Sequence, residues 1–150
     1  MKTILLALIC YGLLLDGASV YAQWDEDAGF TAYSRYKGKK YASSMPSDIL
    51  NASPDFDTAN ATLPKSIKVI IDVAYSQLEK VTGSKKGWKV QDVSLHQSNR
   101  NEKKWFYSLS FTNLSPESIP SEGEVGNISV TVTVDGRLGV IKEIQERKIE

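Results

Sequence analysis

His96 is the chain's one histidine, so any imidazole base has to be this residue. A serine nucleophile needs such a base held by an orienting group. No serine of the sequence sits in a glycine-flanked elbow, and His96 has no partner nearby in sequence. Paired carboxylates can do acid–base work when they converge. Asp92, Glu102, Glu122 and Glu124 fall in stretches read as bulge, turn or loop, and no spacing brings them together. The triplet Asp25-Glu26-Asp27 lacks the spacing and closing glutamate of a calcium loop. Neither a glycine-rich phosphate loop nor a His/Cys cluster is present. The sequence therefore points to no catalytic group, no cofactor and no metal, which argues against a familiar metal or nucleotide enzyme but not against all enzymes.

The N-terminus carries a different kind of information. Lys2 precedes an apolar run, Ile4 to Leu15, that is too short for a comfortable membrane span. Val20 and Ala22 are small residues at the spacing of a cleavage site. These features predict a signal peptide over residues 1–22, cleavage after Ala22, and a secreted or periplasmic protein with no membrane span once it is removed. The one cysteine, Cys10, lies inside that segment, so the mature chain is expected to have no disulfide or thiol chemistry. About 128 residues remain, enough for one domain with its own core. Lys and Arg number 18, Asp and Glu also 18. Balanced charge gives no electrostatic case for nucleic acid or an anionic membrane as partner.

Residues 23–61 are poor in aliphatics and read as a flexible, polar, tyrosine-rich leader. Tyr33, Tyr36 and Tyr41 interleave with Arg35, Lys37, Lys39 and Lys40, and Trp24 sits near the new N-terminus. These rings are candidate contacts for a partner, a glycan or a wall polymer. Asn51, Asn60, Asn113 and Asn127 each begin an N-x-Ser/Thr glycosylation pattern.

The residues downstream supply the regular elements. Ile67, Ile70, Ile71, Ala74, Leu78 and Val81 recur at helical spacing, which predicts a long helix over Leu63 to Thr82. Thr62 is the expected N-cap, Pro64 fits the first turn, and Gly83 ends the helix. Trp88 to Gln97 and Lys104 to Thr112 read as a hairpin. A bulge at Gln91-Asp92 is needed to bring Trp88, Val90, Val93 and Leu95 to one face. Their expected partners are Phe111, Leu109, Tyr107 and Trp105 respectively. The other face, with Phe106, Ser108 and Ser110, is mostly polar and is expected to face water, making Phe106 a candidate contact residue. Asn113 to Gly126 reads as a loop and Asn127 to Val134 as the cleanest strand. The Asp135-Gly136 turn returns Leu138 and Val140 opposite Val134 and Val132.

Ala74-Tyr-Ser-Gln-Leu78 with Gly83, Trp105 to Phe111, and Val134-Asp-Gly-Arg-Leu-Gly-Val-Ile141 resemble the helix, central strand and closing pattern of a PepSY-type domain. Leu138 stands where that pattern has threonine, and Asn113 to Gly126 is longer than the family's loop. The resemblance implies an exported, non-catalytic module, and no functional residue carries over from it. A cystatin-like fold gives the same order of elements. The expected architecture is α+β: one long helix packed on a curved antiparallel sheet of three to four strands, spanning 62–145, with a charged tail at 146–150. The expected function is an exported binding or inhibitor module for an envelope or secreted protein such as a peptidase or sensor. The alternative is a carrier with an apolar cavity behind Trp88, Trp105 and Tyr107; less favoured is an unfamiliar hydrolase using His96, Asp92 or Glu124.

Overall fold

The computed structural model describes residues 21–25, 29–60, 62–114 and 126–145, with the backbone alone at 21–25 and Asn60. Seven strands dominate it. β1 (Tyr21–Asp25), β2 (Gly29–Tyr36) and β3 (Lys39–Met45) come first. A short helix α1 (Ser47–Asn51), a single 3-10 turn (Thr58–Asn60) and helix α2 (Ile67–Thr82) follow. The chain then forms β4 (Trp88–Gln97), β5 (Trp105–Asn113), β6 (Gly126–Thr133) and β7 (Val140–Ile144). The strands make two antiparallel sheets, in the orders β1-β2-β3-β7 and β4-β5-β6.

This corrects the expected architecture of one long helix on a single sheet of three to four strands. The molecule is mainly β. The segment expected to be a flexible leader supplies three strands of the larger sheet, and α1 and α2 have 5 and 16 residues. The reason lies in the side chains of β2 and β3. Phe30, Ala32, Ser34 and Tyr36, then Tyr41, Ser43 and Met45, alternate as buried positions. Their period is that of a strand, but alanine and serine at three of the seven make the stretch look hydrophilic.

The order of layers is α2, then the three-stranded sheet, then the four-stranded sheet. Tyr107, Leu109 and Phe111 of β5 and Ile128, Val130 and Val132 of β6 share the main core with Ile70, Ala74 and Leu78 of α2. Leu78 is fully buried, and its truncation to alanine should cost about 2–5 kcal/mol. The helix begins at Ile67, the first residue of its apolar stripe, and not at the expected Leu63. Ser66, not Thr62, is the N-cap, its hydroxyl accepting from the Val69 amide at 3.5 Å, and Ile67 is largely exposed. Gly83 ends the helix at φ 81°, a conformation that costs glycine little.

The opposite face of the three-stranded sheet is where expectation and structure part. Phe106, Ser108, Ser129, Thr131 and Thr133 are buried, not wet, because β2 and β3 lie over them. Their small size lets the two sheets approach. Between the sheets, Thr131 donates its hydroxyl to the Ser44 carbonyl at 2.9 Å.

The extra residue in β4 is where the parity of the sequence requires it, between Val90 and Asp92, but the register differs from the expected one by two residues. Trp88 pairs with Asn113, Val90 with Phe111, Val93 with Leu109 and Leu95 with Tyr107. The tip loop is longer on the β5 side than the apolar pattern shows, since strand pairing resumes only at Gln97 and Trp105. The final turn also differs. Leu138 bridges Val132, and then β7 leaves β6 and pairs with β3 through Val140–Ser44 and Ile144–Lys40. Gly139 sits at this crossing, where an added Cβ would collide with Thr131 Oγ1 and the Ser44 carbonyl. β1 straddles the cleavage position expected after Ala22; Gln23 to Asp25 pair with Thr31 to Gly29 beyond it.

Candidate functional site

The described surface has a cleft of about 460 Å³ between the stretch after α1 and the tip of the β4–β5 hairpin. Its lining is Asp55, Phe56, Asp57 and Thr58 on one side, and Gln97, Glu102, Lys103 and Trp105 on the other. It is open to solvent, not an enclosed cavity.

Several contacts fix the walls. The Phe56 amide donates to the Lys103 carbonyl at 2.9 Å. The Phe56 and Trp105 rings meet edge to face, 6.1 Å between centroids. Lys104, 8% exposed, lies beneath the cleft. Its ammonium donates to the Ser53 carbonyl and pairs with Asp55 Oδ1 at 2.9 Å. A buried ammonium needs such partners. The Lys104 hydrogen bond in turn holds the Asp55 carboxyl below its ordinary range. On the hairpin side, the Glu102 carbonyl accepts from Gln97 Nε2 at 2.7 Å and from Trp105 Nε1 at 3.1 Å. The indole is thus held half-buried, with its edge oriented. The Ala59 amide donates to Asp57 Oδ1 at 2.9 Å.

The residues singled out from sequence are not brought together. Phe106, expected outward, is fully buried in a second core cluster with Phe30, Ala32, Met45 and Leu50. Tyr36 and Tyr41 are buried too. Tyr36 packs against Trp88, centroids 4.9 Å apart, and burial raises the Tyr41 phenol above its ordinary range. Tyr33 alone of the three tyrosines faces outward, half-buried, with Lys40 Nζ 5.5 Å from its ring centre. Trp24 pairs along the backbone with Phe30, and its side chain lies outside the described residues. Of the glycosylation patterns, Asn113 and Asn127 are buried in strands, whereas Asn51 is exposed. Residues 115–125 of the expected loop, including Glu122 and Glu124, lie outside the described residues.

His96 is not a free surface histidine. Its ring lies 4.9 Å from Phe30 and stacks 5.3 Å from Phe106. Burial pushes its pKa down, with Asp92 acting weakly in the other direction. Asp92 itself accepts from the Ser94 hydroxyl at 2.6 Å. Among the described residues no three His, Cys, Asp or Glu side chains converge to hold a metal ion. No described helix is long and apolar enough to cross a membrane.

Sequence reasoning missed the cleft. Trp105 and Phe56 were legible as hydrophobic residues, and Glu102 as a turn carboxylate. Their meeting depends on the Lys104 contacts, which span 51 positions of sequence.

Comparison with known proteins returns no match: no family model, no curated protein and no solved structure is similar to this chain.

Proposed function

We propose that the protein is an exported, non-catalytic binding module whose cleft takes a cationic side chain of a secreted or envelope partner. The observation that carries this reading is the half-buried Trp105, braced by Phe56 and bordered by carboxylates in an open cleft. Three carboxylates, Asp55, Asp57 and Glu102, stand against Lys103 and the underlying Lys104; Asp57 is also engaged within the chain. A guanidinium or ammonium beside an indole gains cation–π attraction as well as charge pairing. His96 and Asp92, two groups a hydrolase would need, are engaged with aromatic rings and a serine hydroxyl, which supports binding over catalysis. The carrier alternative needs Trp88 and Tyr107 to line a cavity. Both are buried in the main core, which favours the cleft.

The test is a titration of the mature protein with short neutral-backbone peptides carrying one arginine, one lysine or one glutamate, followed by amide and indole NMR. The arginine and lysine peptides should shift the Trp105 indole and the Phe56 amide, and Asp57→Asn with Glu102→Gln should weaken that binding. Shifts that are absent, equal for the glutamate peptide, or confined to another face reject the reading. Export is tested separately by sequencing the N-terminus of the secreted protein, with Gln23 expected first.

A further inference from the structure

β4 closes one side of the three-stranded sheet, and its outer edge has no partner strand among the described residues. The direction of its backbone groups follows from one bond. The Ser98 amide donates to the Lys104 carbonyl at 2.8 Å, one step beyond the Gln97–Trp105 pair. Backbone groups alternate along an antiparallel ladder, so Ser94 and His96 bond towards β5. Val93, Leu95 and Gln97 then turn their N–H and C=O groups to the free edge. The same alternation holds at the far side of the sheet, where Thr131 and Thr133 of β6 bond outward to Gly139 and Arg137.

The side chains of Val93 and Leu95 lie on the face of the sheet that carries Tyr107 and Trp105. Helix α2 covers this face chiefly over β6, and burial falls away from it. Val130 and Val132 of β6 are buried, as are Leu109 and Tyr107 of β5, whereas Val93 is half-buried and Leu95 is 38% exposed. Edge strands are commonly guarded by charges, prolines or bulges. In β4 the bulge between Val90 and Asp92, with Lys89 and Asp92 beside it, guards only the first half. There the backbone is engaged as well: the Trp88 amide donates to the Lys85 carbonyl at 3.2 Å, and its carbonyl accepts from the Tyr75 hydroxyl at 3.3 Å. From Val93 to Gln97 the edge has no Lys, Arg, Asp, Glu or Pro. This open half ends in the cleft, because Gln97 is one of the lining residues. Its side-chain amide bonds the same Glu102 carbonyl as the Trp105 indole.

We infer that an extended segment of the partner adds antiparallel to β4 as a fourth strand, pairing with Val93, Leu95 and Gln97 and laying a basic side chain in the cleft. Strand addition takes its affinity from main-chain bonds and its specificity from alternate side chains. The partner residue opposite Gln97 is the basic one. It stands two strand spacings, about 10 Å, from the Trp105 backbone, a gap that an arginine side chain and the indole bridge together. The residues two and four positions later fall opposite Leu95 and Val93 and are apolar. The recognised pattern is therefore basic-x-apolar-x-apolar. A second copy of β4 meets the edge poorly. The register that brings its Lys86 opposite Gln97 sets Trp88 opposite Leu95, and the Trp88 backbone is already bonded. The inference rests on the cleft reading for the basic position; the edge, the strand direction and the two apolar positions are its own.

The capped peptide Thr-Arg-Thr-Val-Thr-Val-Thr, titrated into the mature protein and followed by NMR and amide exchange, tests it. It should bind roughly tenfold more tightly than a glycine–serine peptide carrying the same arginine, through the added main-chain bonds. In excess it should slow exchange at the Val93, Leu95 and Gln97 amides and move the Trp105 indole. N-methylation of the peptide's two valines should abolish the gain, and N-methylation of the two threonines between the arginine and the second valine should not. That comparison leaves the protein unaltered. Leu95→Thr should weaken binding about two- to fivefold, and citrulline in place of the arginine should weaken it too. If the indole moves while the edge amides exchange as before and valine N-methylation changes nothing, the edge inference is overturned and the cleft reading stands. If the edge amides slow but citrulline binds as well as arginine, the cleft reading fails and takes the basic position with it. If neither responds, both are rejected. Edge protection that grows with protein concentration in the absence of peptide assigns the edge to a second copy and overturns the inference.

Discussion

Protonation of His96 is opposed by its neighbours. An imidazolium between Phe30 and Phe106 loses hydration and gains only the distant Asp92. The sign of the consequence follows from linkage. Above the ordinary imidazole value of 6.5, the ring is neutral in folded and unfolded chains, so it contributes no pH dependence. As pH falls through that value, the unfolded chain takes up the proton and the folded chain does not. Stability should therefore decline from about pH 6.5 downward, until the depressed folded pKa is reached. Urea midpoints measured between pH 8 and 5 should show this decline, and His96→Gln should remove most of it. A flat wild-type profile would falsify the packing assigned to this ring. Lys104 is a second decisive residue. Lys104→Ala leaves the Ser53 carbonyl without its buried donor and should cost about 1–3 kcal/mol. The Trp105 indole signal should broaden or move in that variant, since the clamp beneath the cleft is gone. If stability and the indole signal are both unchanged, Lys104 does not position the cleft.

At the scale of elements, the seam between the two sheets decides the fold. It is lined by small hydroxyl residues that behave in two ways. Thr131 is bonded to Ser44 across the seam, while the hydroxyls of Ser34, Ser43 and Ser129 have no partner among the described residues. Burying a polar group without a bond is costly, and replacing it with an apolar group of similar shape is close to neutral or better. Ser43→Ala and Ser129→Ala should thus leave stability unchanged or raise it by up to about 1 kcal/mol. Thr131→Val should lower it by about 1 kcal/mol. Denaturant melts of the three variants separate these outcomes; the reverse ranking would mean the serine hydroxyls are well bonded. This seam also explains why β2 and β3 were not legible. Alternation was present in Phe30, Ala32, Ser34 and Tyr36, but serine and alanine on the buried side hid it. The helix stripe and the β4 bulge were legible because aliphatic residues marked them. The β4–β5 register was not, because a shift of two residues preserves which face each side chain occupies.

At the scale of the molecule, the helix and its three-stranded sheet do not make an independent domain. Phe106 is shielded by Phe30, Ala32 and Met45, and β7 has its strand partner in β3. A chain beginning at Thr62 loses both. It should fail to unfold cooperatively and should bind a hydrophobic dye, whereas the chain from Gln23 should do neither. Well-dispersed amide spectra from the shorter chain would show that the helix and its sheet fold alone.

Local chemistry fixed what neighbouring residues can settle by themselves. The aliphatic stripe of α2, the parity break in β4 and the turn at Asp135-Gly136 all lie within short stretches. Tertiary structure alone decided which polar residues are inside. Phe106, Ser129 and Thr133 are buried only because a second sheet, drawn from distant sequence, covers them. The cleft has the same origin: Phe56 and Trp105 meet because Lys104 reaches back to Ser53. Burial and convergence are properties of pairs of segments, and a single segment's pattern carries no record of its partner.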